Sequence, residues 1–167
     1  MNHLAKWLIP IATVFFASGA FSTEKKARRS KQALSAQQLQ GTWSATWQAD
    51  GGTQSTSNWL KMLALDNDHL KVEYVGYYKY IDPSGEWSVN NGVAIGTASI
   101  EKGSVSFEPV SASDTWGCKI IMVMKGRKLL VTQQNECGFG SRVHADGTYQ
   151  QESTEWHEFE EAFWEGR

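Results

Sequence analysis

His157, Glu158 and Glu161 stand where a zinc-protease helix would carry His, Glu and a second His one turn later. That chemistry needs two imidazoles on one helical face to bind the metal and a carboxylate to activate water. Glu161 replaces the second imidazole, so no metal is expected. His144 lies near Ser141 and Asp146, the three residue types of a nucleophilic triad, but no Gly-x-Ser-x-Gly elbow accompanies them. Asp66 and Asp68 lack the later Asp, Gly and Glu of a calcium loop and suit a plain hairpin turn. Cys137-Gly138-Phe139-Gly140 is not a phosphate loop and suits a bulge or tight bend. The chain is therefore expected to be non-enzymatic, with no cofactor and no metal.

Two residue sets remain. Cys118 and Cys137 have no Cys-x-x-Cys spacing, and two cysteines in an exported chain are expected to pair as a structural disulfide. They flank a hairpin turning at Lys125-Gly126-Arg127, nearly symmetrically, which lets the sulfurs face each other. The second set is aromatic: the chain has 8 Trp, 5 Tyr and 7 Phe. Trp43, Trp59, Tyr78 and Trp87 are candidates to line a ligand cavity, offering apolar faces with a polar handle. Trp156, Phe159 and Phe163 are candidates to dock a partner.

A disulfide needs an oxidising compartment. Met1–Lys6 followed by the apolar run Trp7–Phe16 and the small residues Ala17-Ser18-Gly19-Ala20 has the order of a secretory signal, with cleavage expected before Phe21. Lys25, Lys26, Arg28, Arg29 and Lys31 follow the apolar run, as in a retained anchor. That run, broken by Pro10, is nevertheless shorter than the ~20 residues needed to span a bilayer. A periplasmic or secreted location is expected. The mature 147 residues would carry 15 basic and 18 acidic side chains, a balance that argues against nucleic acid as partner. Residues 21–40 are read as a flexible basic leader able to touch an anionic membrane.

From Gly41 onward, β-prone runs alternate with turn signals at regular spacing: 41–48, 57–65, 69–80, 93–100, 104–109, 118–124, 128–134 and 141–150. The connection 81–92 is the long one, with Trp87 inside it. Eight sequential strands predict an all-β fold, an eight-stranded up-and-down antiparallel barrel over 41–150, closed so that no edge is exposed. At 151–167 the period changes, and Trp156, Phe159 and Phe163 predict a short C-terminal amphipathic helix.

Gly41-Thr42-Trp43 at the first strand resembles the Gly-x-Trp of the calycins, the lipocalin, fatty-acid-binding and avidin-like barrels. Cys118, Cys137-Gly138-Phe139-Gly140, Val143 and Gly147-Thr148-Tyr149 resemble the ending of a group of small secreted bacterial proteins. The resemblance implies a lipocalin-like barrel and carries no catalytic residue. The functional expectation is a non-catalytic exported binding protein for a small apolar ligand. The alternative is an inhibitor or immunity-type protein that neutralises a secreted or periplasmic cell-wall hydrolase or toxin.

Overall fold

A computed structural model describes residues 33–109 and 117–156. The segment read as a signal peptide lies outside the described residues. The chain forms a one-turn helix, α1 (Ala36–Leu39), and eight strands: β1 (Gly41–Gln48), β2 (Gln54–Ala64), β3 (His69–Ile81), β4 (Trp87–Glu101), β5 (Ser104–Phe107), β6 (Lys119–Lys125), β7 (Lys128–Gln134) and β8 (Gly147–Ser153). Each pairs antiparallel with the next, and β1 with β8, so the sheet closes in sequence order. This is the expected up-and-down barrel.

Alternation explains which side chains face inward. Val72 and Tyr74 are fully buried inside, as are Leu60 and Met62 on the paired strand β2. The neighbouring wall of β4 is small, with Ala94 and Ala98 opposite Tyr74 and Leu70, which leaves room for the large rings. The two acidic turns cap themselves. Asp66 Oδ1 accepts the N–H groups of Asp68 and His69, and Asp82 Oδ1 those of Ser84 and Glu86. These are Asx-type turns, and the donors hold both carboxyls below the usual range, led by Asp68 N–H at Asp66 and the Ser84 side chain at Asp82.

Several boundaries differ from expectation. The leader does not extend to residue 40: Ala36 and Leu39 are fully buried, and Ala36 N–H donates to Asn67 O, which seals α1 against the β2–β3 turn. The excursion over 81–92 is a short turn, because β4 begins at Trp87 and continues through Asn90-Asn91-Gly92. Those turn-like residues serve another purpose, described below. The last strand is 147–153, not 141–150, and Gln151–Ser153 therefore belong to β8 rather than to a helix. His157–Arg167, with Phe159 and Phe163, lie outside the described residues.

β1 to β4 are long, whereas β5 to β8 span only four to seven residues. The barrel thus ends on one side in a projecting four-stranded hood. At the opposite end α1 closes the floor over Trp43.

Candidate functional site

The segment between β7 and β8, residues 135–146, runs across the hooded end and fills the barrel below it. Its start is fixed covalently by the disulfide between Cys118 and Cys137. Phe139 then packs on Tyr74, with ring centroids 4.9 Å apart, and lies against Gly92, where a Cβ would collide with the Phe139 ring. Gly140 N–H donates to Asn91 O, and Asn90 Nδ2 to Ser141 O. The Asn-Asn-Gly sequence in β4 is therefore a docking station for this loop. Val143 and Ala145 point into the core.

Beneath the loop sits a fully paired polar group. Asn58 Nδ2 donates to His144 O at 2.8 Å, Tyr74 OH donates to Asn58 Oδ1 at 3.1 Å, and Tyr149 OH donates to Ala145 O at 2.8 Å. Buried polar groups cost little only when so satisfied. Burial pushes both phenols well above their ordinary pKa. The sign follows: above pH ~10 the unfolded tyrosines ionise while the folded ones do not, so the unfolded state binds fewer protons and stability falls. The urea midpoint is expected to drop between pH 9 and 11, roughly the range set by that reference value, and Tyr74→Phe should flatten the drop.

The core is continuous from Leu39 to Ala145, with Phe139 packed against it. Above the loop lie two depressions that share one lining residue, Arg142. One, of about 580 Å³, is bounded by Tyr78, Tyr80, Asp82, Asn90 and Ser141. The other, of about 480 Å³, is bounded by Trp47, Thr56, His144, Asp146 and Thr148. Arg142 Nη1 donates to Tyr78 OH at 3.0 Å, and Tyr78 OH donates to Gln54 Oε1 at 2.9 Å. The guanidinium carbon lies 5.6 Å from the Tyr78 ring centroid, and Tyr80 stacks on Tyr78 at 5.5 Å. The hydrogen bond to Tyr78 raises the Arg142 pKa further.

Of the four aromatic candidates, only Tyr78 borders these depressions. Trp43 is 1% exposed at the floor, where its Nε1 donates to Leu39 O. Trp59 opposes Val75 in the pairing and meets Tyr77 edge-on, on the outer wall. Trp87 pairs with Ile81 outside the barrel, half exposed, with the Lys79 ammonium 4.5 Å from its ring centroid. Trp156 is half-buried on Lys71, its indole N–H without a hydrogen-bond partner among the described residues. Trp47 and Arg142 were not singled out from sequence. Trp47 was reachable, because it lies four residues beyond Trp43 on the same strand face, whereas nothing local marks Arg142.

The described part of the suspected triad is not assembled: Ser141, His144 and Asp146 make no hydrogen bonds to one another. The His144 imidazole makes no hydrogen bond among the described residues, and Asp146 Oδ1 accepts from Gln133 N–H instead. Among the described residues no group of three His, Cys, Asp or Glu could hold a metal. Compared with family models, curated proteins and solved structures, the chain matches none; its eight-stranded antiparallel barrel is consistent with a calycin-like fold.

Proposed function

We propose that this protein is a non-catalytic, exported, lipocalin-like binding protein that holds its ligand on the hooded end and not within the barrel. The observation that supports this is the pair of depressions meeting at Arg142 above a core already filled by Tyr74, Phe139 and Ala145. Depressions of this volume fall in the range of small-molecule sites. Their lining mixes hydroxyl, amide and charged groups with aromatic faces, which suits a polar ligand better than the apolar one expected from the aromatic content. Two-dimensional NMR during titration with a polar small-molecule library tests it: resonances of Trp47, Tyr78 and Arg142 should move together. Saturable uptake of apolar dyes or lipids, with shifts centred on Tyr74 and Met122, would mean interior binding and end this reading.

A second reading, an inhibitor of an exported hydrolase or toxin, is supported by the same cluster seen as a protein contact. Trp, Tyr and Arg are the residues most enriched where interface energy concentrates, and Trp47 is 56% exposed. Capture of a stoichiometric protein from the secreted fraction, lost with W47A, supports this reading. Capture that is indifferent to W47A removes it.

Export is supported by the order of the first twenty residues and by the disulfide. N-terminal sequencing of the mature protein is expected to begin at Phe21, and a start at Met1 would overturn the proposed cleavage.

A further inference from the structure

Arg142 is held in a way that its packing alone does not require. Its backbone has φ 62°, a region that side chains other than glycine rarely adopt. Such conformations persist where the surroundings over-determine them. Here the neighbours do so: Gly140 is tied to Asn91, Val143 N–H to Gly140 O, and His144 O to Asn58. Glycine would sit at position 142 without that cost, yet the longest cationic side chain stands there. Only Nη1 is engaged, by Tyr78 OH, and no carboxylate pairs with this guanidinium among the described residues. The remaining N–H groups form the planar fork that matches a carboxylate.

The surroundings narrow the charge. Asp82 borders one depression and Asp146 the other, and both are fixed by backbone N–H groups that they accept. A dianion such as phosphate would face one cation between two carboxylates, whereas a single negative charge is matched by Arg142. Trp47, in the same depression as Arg142, presents an indole to whatever carries that charge. An indole face favours a ring.

Resting on the hooded-end reading, we infer that the site takes a monocarboxylate carried by a ring, the carboxylate paired with Arg142 and the ring packed on Trp47. The ring is either a sugar, as in a uronic acid, or an aromatic acid.

Isotope-labelled mature protein is titrated with D-glucuronate against D-glucose, with benzoate against benzamide, and with inorganic phosphate, following the Trp47 indole N–H and Arg142 Nε–H signals. At least one acid is expected to bind roughly tenfold more tightly than its neutral counterpart, as a charge-assisted pair should. Discrimination in the sugar pair alone assigns a uronic acid, and discrimination in the benzoate pair alone assigns an aromatic acid. R142Q should abolish the preference at unchanged melting temperature. R142G should abolish it with a melting temperature equal or higher, because the strained φ is relieved. Equal binding of acid and neutral probes at Trp47, or indifference to R142Q, overturns the carboxylate assignment and leaves the hooded-end reading standing. Tighter binding of phosphate than of either acid overturns the monoanion assignment alone. Saturable shifts confined to residues away from Trp47 and Arg142 overturn both, and no saturable shift with either acid up to about 10 mM overturns the inference.

Discussion

Trp43→Ala is expected to destabilise the protein by about 3–5 kcal/mol, the range for truncating a large buried ring. Trp43 is the largest fully buried side chain among the described residues, and its Nε1 donates to Leu39 O at 2.8 Å, so the substitution removes the barrel floor and the hydrogen bond that holds α1 over it. Leu39 O would then be left without that donor, which adds a desolvation cost to the cavity. Total stability of a domain this size is about 5–15 kcal/mol, so the variant loses a large share of it. Urea unfolding followed by far-ultraviolet circular dichroism measures the loss. Trp43→Phe separates the two contributions, because it restores most of the volume without the donor. A Trp43→Ala loss below about 1 kcal/mol, the level of an ordinary surface change, would show that the floor is not held as described. The ligand binding proposed for the hooded end, on the far side of the barrel, should survive in whatever fraction stays folded.

Removing the disulfide with C118S/C137S is expected to cost about 3 kcal/mol on the chain-entropy estimate for a loop of this length, the two cysteines being separated by 19 positions. The consequence extends beyond stability. Cys137 begins the segment that carries Phe139, Arg142 and His144, and that segment is otherwise held by hydrogen bonds to Asn90, Asn91 and Asn58 and by the Phe139 contact. Without the crosslink the entry to the loop is freer, so ordering Arg142 costs more, and affinity at the hooded end should fall along with the unfolding midpoint. Denaturation and ligand titration of the oxidised protein, the reduced protein and the double variant check this together. Unchanged affinity in a clearly destabilised variant would show that the hydrogen bonds alone position Arg142.

The barrel itself was legible because its signals are local. Alternation along 41–48 and 69–80 and a glycine or Asx turn at most hairpins give strand identity and order, and sequential hairpins leave an up-and-down closure as the simplest topology. The disulfide was legible for the same reason, being the crosslink of one hairpin. Where the reading departed from the structure, a local pattern had a non-local cause. Arg142 to Asp146 alternates exposed and buried like a strand, yet it is a loop whose Val143 and Ala145 dip into the core. Asn90-Asn91-Gly92 has turn composition, yet it lies in mid-strand, because the asparagines bond that loop and the glycine clears space for Phe139. The polar leader conceals a single helical turn whose burial depends on Trp43 and on the β2–β3 turn.

The disulfide between Cys118 and Cys137 thus anchors the loop on which the candidate site depends. Composition and period determined the all-β class, the strand order and the crosslink, because each follows from contacts between residues close in sequence. Which aromatics are interior, which lie on the outer wall and which meet at the hood was decided by tertiary structure alone. Tyr78 and Arg142 are separated by 64 positions, and only closure of the barrel, with the loop drawn across it, brings phenol and guanidinium to 3.0 Å.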